Sequence, residues 1–377
     1  MREVVSVFLR LGFTAFGGPA AHTAMMRQEL VERRAWVTDE EFVELMAMTN
    51  LIPGPNSTEL AIHLGYRRAG WAGLWVAGAC FILPAAFIVG FLAWIYVQFG
   101  ALPETQGLLY GMKPVVLAVV GQALFGLVKA VLKGPVPILV AVGAAGLSLL
   151  GVSELALVFA PGLVWGLCSS RNWRVWAPLV VVGLAVGAFF GLSWWLEGSA
   201  KGVAYGLAPL FFVFLKVGSV LYGSGYVLLS YLNTDLVVRL GWLTKAQLLD
   251  AVAVGQFTPG PVFTTATFIG FVLGGVPGAV VATLGIFLPS FFFVSLSSRW
   301  LEKARKSEAM QGFLKGVNAA ALGLMGAVLV KLGQDALRDW FTVSLALVSL
   351  AVLVRFKVNS AWLVAAGAAL GFLSTQV

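Results

Sequence analysis

A chain of 377 residues that is 59% hydrophobic and only 11% charged is not built like a soluble domain, in which roughly a quarter of the residues carry charge. Its net charge of +8 is spread over short segments beside apolar runs, the pattern of membrane-protein flanks, and excludes a nucleic-acid footprint. Cys80 and Cys168 lie in apolar runs and say nothing about redox compartment.

Met1-Arg2-Glu3 leads straight into a first apolar arm with no A-x-A-like cleavage site, so no cleavable signal is expected. That arm carries Arg10 and ends at Phe16-Gly17-Gly18-Pro19. Two glycines let backbone approach a ligand closely, and Pro19 suits the first turn of a new helix. His22 follows the break.

Thr38-x-x-Glu41, with Val37 and Phe42 around it, is a capping box with a hydrophobic staple. The helix it starts should end before Pro53, after about 15 residues or ~22 Å. A second arm after Pro55 should run to about Tyr66, roughly 11 residues or ~16 Å. Neither crosses a ~30 Å core. Joined by Pro53-Gly54-Pro55, they read as a re-entrant hairpin with its tip inside the membrane, where irregular backbone survives only in protein or beside a wet cavity. At the tip the second arm offers free N–H groups and its positive dipole end, and Asn56, Ser57 and Thr58 add donors.

The uncharged stretches 70–97, 175–196, 271–298 and 358–377 each reach about the 20 apolar residues a spanning helix needs. At 214 the chain begins again. The segment from Phe214 repeats that from Phe8 at an offset of 206, carrying Arg10 to Lys216, the first break to Tyr222-Gly223-Ser224-Gly225, Thr38 to Thr244, and the first corner to Pro259-Gly260-Pro261. After one lost residue, an offset of 205 pairs Gly65 with Gly270, Gly73 with Gly278 and Pro84 with Pro289. The second corner carries Thr264 and Thr265. The domain reading is therefore a first repeat over 1–170, a linking helix in 171–203 and a second repeat over 204–377.

Charge sets the expected orientation. Arg67 and Arg68 precede the span 70–97, whereas its copy 271–298 is followed by Arg299, Lys303, Arg305 and Lys306. Positive residues favour the cytoplasm, so the copies should run in opposite directions. Inverted repeats are a recurring transporter architecture, with the site at the midplane where the repeats meet. The fold class expected is all-α and polytopic, with two inverted homologous repeats, broken helical hairpins and one linking transmembrane helix.

Several site residues keep two readings. Arg10 and Lys216, ~10 Å along a helix from their breaks, are paired intramembrane cations suited to an anion, or snorkel to an interface. Lys113 ranks below them because its counterpart is Asn318. Glu59, replaced by Thr265 in the other copy, either closes a cap with Asn56 or handles protons. His22 and His63 form no metal-ligand spacing, and a buried polar contact is the plainer role for each. Asn50 and Gln256, three residues before each corner, either donate to an oxyanion or cap the first arm. No metal, cofactor or catalytic residue is expected.

With "FGGPAAH", "LIPGPNSTELAIHLGYRRAG", "VGSVLYGSGYVL" and "GQFTPGPVFTTATFIG" together, the chain resembles the long, two-domain members of the chromate ion transporter family, over nearly its whole length. The resemblance implies export of chromate across the bacterial inner membrane, resistance to it, and two halves of opposite topology. Sulfate or another oxyanion is the alternative cargo, sulfate being the natural look-alike; membrane lipid is the surroundings, and a homodimer is one assembly left open.

The residues fit an anion better than a cation: apart from Glu59 the tips carry no carboxylate, and the paired charges are positive. Substrate contacts are expected from Arg10, His22, Asn50, Lys216, Gln256 and the two sets of breaks and corners. Two other classes compete. An intramembrane enzyme lacks HExxH, a paired-Asp motif or a nucleophile–base pair, and an anion channel on the same repeats differs only in never concentrating its substrate.

Overall fold

The computed structural model describes residues 1–16, 18–100, 102–150, 152–169, 205–222, 227–305, 307–356 and 358–374, with backbone alone at 20, 103, 104, 130 and 297–305. The expected linking helix at 175–196 lies outside the described residues, as do Gly17, Gly223, Ser224 and Gly225.

Every described element is helical. The first half comprises α1 (Arg2–Thr14), α2 (Gly18–Arg27, continued by a π-helical segment Gln28–Arg33), α3 (Asp39–Thr49), α4 (Asn56–Phe99), α5 (Pro103–Val131), α6 (Pro135–Leu149) and α7 (Glu154–Ser169). The second half repeats this order as α8 (Leu207–Val220), α9 (Leu228–Leu232, continued by a π-helical segment Asn233–Arg239), α10 (Lys245–Phe257), α11 (Thr265–Arg305), α12 (Glu308–Ala336), α13 (Trp340–Phe356) and α14 (Ser360–Ser374). Four helical stretches, within α4, within α5, over 262–296 where a short turn leads into α11, and within α12, are long and apolar enough to cross a membrane.

The local devices are the same in both halves. Thr38 accepts from the Glu41 N–H while the Glu41 side chain accepts from the Thr38 N–H, and Thr244 and Gln247 do likewise, so α3 and α10 start where the sequence places them. Helix α3 stops at Thr49, several residues earlier than Pro53 requires, because Asn50 turns its side-chain amide back onto the Met46 carbonyl. The first arm of α4 runs from Asn56 to a sharp break at Ala69 (φ −146°, ψ 25°) and Gly70 (φ 60°, ψ −147°). The break in α11 falls at Gly274 (φ −149°, ψ 25°) and Gly275 (φ 60°, ψ −149°). A left-handed φ at both second positions asks for glycine.

Packing between the halves is reciprocal. Helix α1 lies on α4 and α8 on α11; α4 meets α11 across the halves; α5 carries α13 and α14 of the second half, and α12 carries α6 and α7 of the first. The crossings use the same residues. Gly111 of α5 sits against Gly367 and Gly371 of α14, and Gly316 of α12 sits against Gly162 of α7. Glycine at both faces lets these backbones approach closely, the usual route to helix association in lipid. Exchanging the halves therefore maps contacts onto contacts.

Candidate functional site

Both Pro-Gly-Pro corners are buried, and each is tied to the other half. The Gly54 N–H donates to the carbonyl of Leu221, where α8 ends (2.8 Å), and the Gly260 N–H donates to the carbonyl of Ala15, where α1 ends (2.8 Å). Ala15 and Leu221 occupy the same place in the two copies. Each corner thus closes on the end of the opposite half's first helix. Positive φ at Gly54 (135°) and Gly260 (82°) frees the amides to point that way.

A third contact joins the two corners. Nε2 of buried His22 lies 3.0 Å from the Ala15 carbonyl and Nδ1 lies 3.2 Å from Ser57 Oγ. A carbonyl neighbour requires the proton on Nε2, so Nδ1 accepts from the serine hydroxyl. The expected buried polar role of His22 is what the geometry displays, and that role links the second corner, through Ala15, to the first turn of α4. Gly18, which opens α2, takes a left-handed φ of 77°, and Pro19 follows it in the first turn.

The remaining expected residues divide. Asn56 donates from Nδ2 to Asn50 Oδ1 (2.7 Å), so these two amides engage each other. Thr264 and Thr265 hydroxyls return to the carbonyls of Pro261 and Val262 (2.8 Å each). Gln256 is buried and lines a small cavity with Val120, Leu228, Leu229, Val252, Val262 and Thr265. Ser57 and Thr58 are buried in the first turn of α4. Glu59 makes no cap: the N-terminal cap position is Pro55, and among the described residues neither Glu59 oxygen has a hydrogen-bond partner.

Arg10 and Lys216 are both engaged by acids that sequence reasoning missed. Arg10 pairs with Glu29, which also takes Arg34 at 2.7 Å and Arg33 at 3.4 Å. Lys216 pairs with Asp235 at 2.7 Å, which also meets Arg239 at 3.3 Å. Glu29 and Asp235 sit at matching places on the two π-helical segments, as do Arg33 and Arg239. The offset of 206 carries one set onto the other, and that signal was available in the sequence. The copies differ in depth: the Arg10 side chain is 50% exposed, in keeping with snorkelling, whereas Lys216 is 17% exposed. Beside Asp235, Thr234 donates to buried Glu154 of α7 (2.6 Å), adding a second acid to the second copy.

Lys113 enters a cluster with no counterpart. Its Nζ lies 3.1 Å from Asp250 Oδ1 on α10, while the Tyr96 hydroxyl of α4 donates to Asp250 Oδ2 (3.0 Å). The matching positions hold Asn318 and Glu44. This ion pair spans the halves and is buried on the Asp250 side. Among the described residues no group of three metal-ligating side chains gathers.

The profile of the chromate transporter family matches residues 2–167 and 208–372, once per half. A chromate transport protein of Cupriavidus metallidurans is 34% identical over 98% of this chain and 92% of its own length. Another from Pseudomonas aeruginosa is 33% identical over 88% of this chain and 81% of its own, and a probable chromate transport protein of Synechococcus elongatus is 31% identical over 93% and 89%. No solved structure matches the chain.

Proposed function

This chain belongs to the chromate transporter family, and from that premise we propose that it is a secondary transporter exporting chromate across the bacterial inner membrane, thereby conferring resistance. Inverted-repeat transporters place their site near the midplane, where the repeats meet. The observation that carries the proposal is the reciprocal pair of bonds, Gly54 to Leu221 and Gly260 to Ala15, by which each buried corner closes on the end of the other half's first helix.

In this reading the anion lies among the breaks and corners. The first-turn amides of α4 and of the turn at 262–264 face it with the positive ends of their helices. Ser57, Asn50, Asn56, Thr264 and Thr265 exchange their present partners for its oxygens, and Thr58 and Gln256 join them. Arg10 and Lys216 supply a positive field ~10 Å away along their helices, moderated by Glu29 and Asp235.

The halves run in opposite directions across the membrane in this proposal. Trp75 of α4 stacks on Phe291 of α11 with ring centroids 4.8 Å apart. Exchanging the halves sends that pair to 280 and 86, the relation of two antiparallel arms, which supports inversion. The division into repeats at 1–170 and 204–377 around a linking helix belongs to the same proposal.

Direction follows from charge. Moving one charge through 100 mV is worth ~2.3 kcal/mol, so a dianion gains ~4.6 kcal/mol on leaving a negative interior. Export needs only a gated site. The test is purified protein in liposomes at set voltage: chromate should leave faster as the interior is made more negative, and sulfate should compete. Vesicles that move neither anion faster than protein-free ones sink the proposal.

A further inference from the structure

The first corner contains a carboxyl group that the anion reading alone does not explain. Glu59 is fully buried, and among the described residues neither of its oxygens finds a hydrogen bond or an ion pair. Ser290 Oγ of α11, also fully buried, is the neutral polar group that faces this carboxyl, and it brings no counter-charge. Both lie against Gly54: a β-carbon there would collide with Glu59 Oε1 and come within 2.9 Å of Ser290 Oγ. This acid therefore sits beside the corner whose amide reaches the Leu221 carbonyl.

The other half lacks the arrangement. Thr265 stands in place of Glu59, with its hydroxyl closed onto Val262, and Ala85 stands in place of Ser290 against Gly260. The titratable groups around Glu59 are few. His63 lies one turn along α4, His22 of α2 is reached through Ser57, and Tyr222 follows Leu221 at the end of α8. The nearest acid on α10, Asp250, is held by Lys113, and the acid beyond α2, Glu29, is held by arginines. An ionised carboxylate buried without a counter-charge is strongly disfavoured, and a proton removes the charge.

Resting on the oxyanion reading above, we infer that Glu59 is a proton-binding site coupled to the anion, so that each oxyanion crosses with one proton. A dianion and an ionised carboxylate repel across a low-dielectric site. The anion therefore binds when Glu59 is neutral, and by linkage the anion strengthens proton binding as much as the proton strengthens anion binding. The proton carried on the carboxyl leaves on the side where the anion leaves. Cargo and proton together move one negative charge instead of two, and there is one such site because the mirror position is threonine.

The test uses the full chain and two variants, Glu59→Gln and Glu59→Thr, the latter copying the second half in case the former folds poorly. Infrared difference spectra should show a protonated-carboxyl band in the wild type at neutral pH that both variants lack, and it should grow when chromate is added. Chromate affinity should tighten by up to about tenfold for each unit of falling pH in the wild type and stay flat in the variants. Reversal potentials in liposomes should give one negative charge per chromate for the wild type and two for the variants.

A wild type with no such band, or with pH-independent affinity and two charges per chromate, overturns the coupling while leaving chromate transport intact. A protein that shows the band but binds neither chromate nor sulfate overturns the oxyanion reading and the coupling with it.

Discussion

The two halves agree in how they fold and differ in where their chemistry sits. Capping boxes, π-helical segments, glycine breaks and glycine-paired crossings recur almost residue for residue. The His22–Ser57 link, the Glu59–Ser290 corner and the Lys113–Asp250–Tyr96 cluster occur once. A duplicated frame lets each half complete the other's broken ends, because a bond from first to second implies one from second to first. The single-copy groups are free of that constraint. An ionisable group on one side alone makes the two faces of the site unlike.

The largest expected departure from symmetry is at Asp250. Removing one partner of a buried ion pair leaves the other uncompensated, at a cost of about 3–5 kcal/mol. Asp250→Ala should lower thermal stability in detergent by that order, and pairing it with Lys113→Met should recover most of the loss. Asn318→Ala, at the place matching Lys113, should cost no more than about 1 kcal/mol. Equal losses at Asp250 and Asn318 would mean that the cluster carries no stability of its own.

The corners set a finer contrast. Alanine at Gly54 or Gly260 meets a left-handed φ, worth ~1–2 kcal/mol on backbone grounds. Their surroundings differ. A β-carbon at Gly260 lies 2.6 Å from Ala85 Cβ and 3.3 Å from the Gly12 carbonyl, neither of which can swing away. At Gly54 the nearest obstacle is the end of the Glu59 side chain. Gly260→Ala should therefore be the less stable protein, while Gly54→Ala should fold better and transport with altered pH dependence. The reverse order in thermal denaturation would show that Glu59 is rigidly held.

Much of this frame was legible because it is written twice. The capping boxes at Thr38 and Thr244 and the corners at Gly54 and Gly260 are local patterns, and the offset between copies marked them as matched. Glu29 and Asp235 were missed although the same offset links them, because each meets its cation only through the fold of α1 on α2 or α8 on α9. Nor could local pattern show that Gly54 would reach Leu221 and Gly260 would reach Ala15. Those bonds join segments far apart in the chain, and nothing in either segment names its partner. The capping reading of Glu59 failed for a local reason: Asn56 turns toward Asn50, and the helix opens at Pro55 with no side-chain cap.

The smallest contrast lies in the capping boxes. Both threonines should cost ~1 kcal/mol when changed to alanine, so Thr38→Ala and Thr244→Ala should shift thermal stability alike. Their partners differ in charge. Helix α3 opens with Asp39, Glu40 and Glu41, whereas α10 opens with Lys245 and closes its box with neutral Gln247. Acids at a helix N-terminus gain ~0.3–1 kcal/mol from the dipole, and a lysine there works against it. Gln247→Glu should therefore stabilise the second half by a few tenths of a kcal/mol in low salt, an effect that fades as salt screens it. Glu41→Gln should cost the first half a similar amount. A gain at 247 that persists in high salt would point to hydrogen-bond geometry in the box, not helix charge, as the difference between the copies.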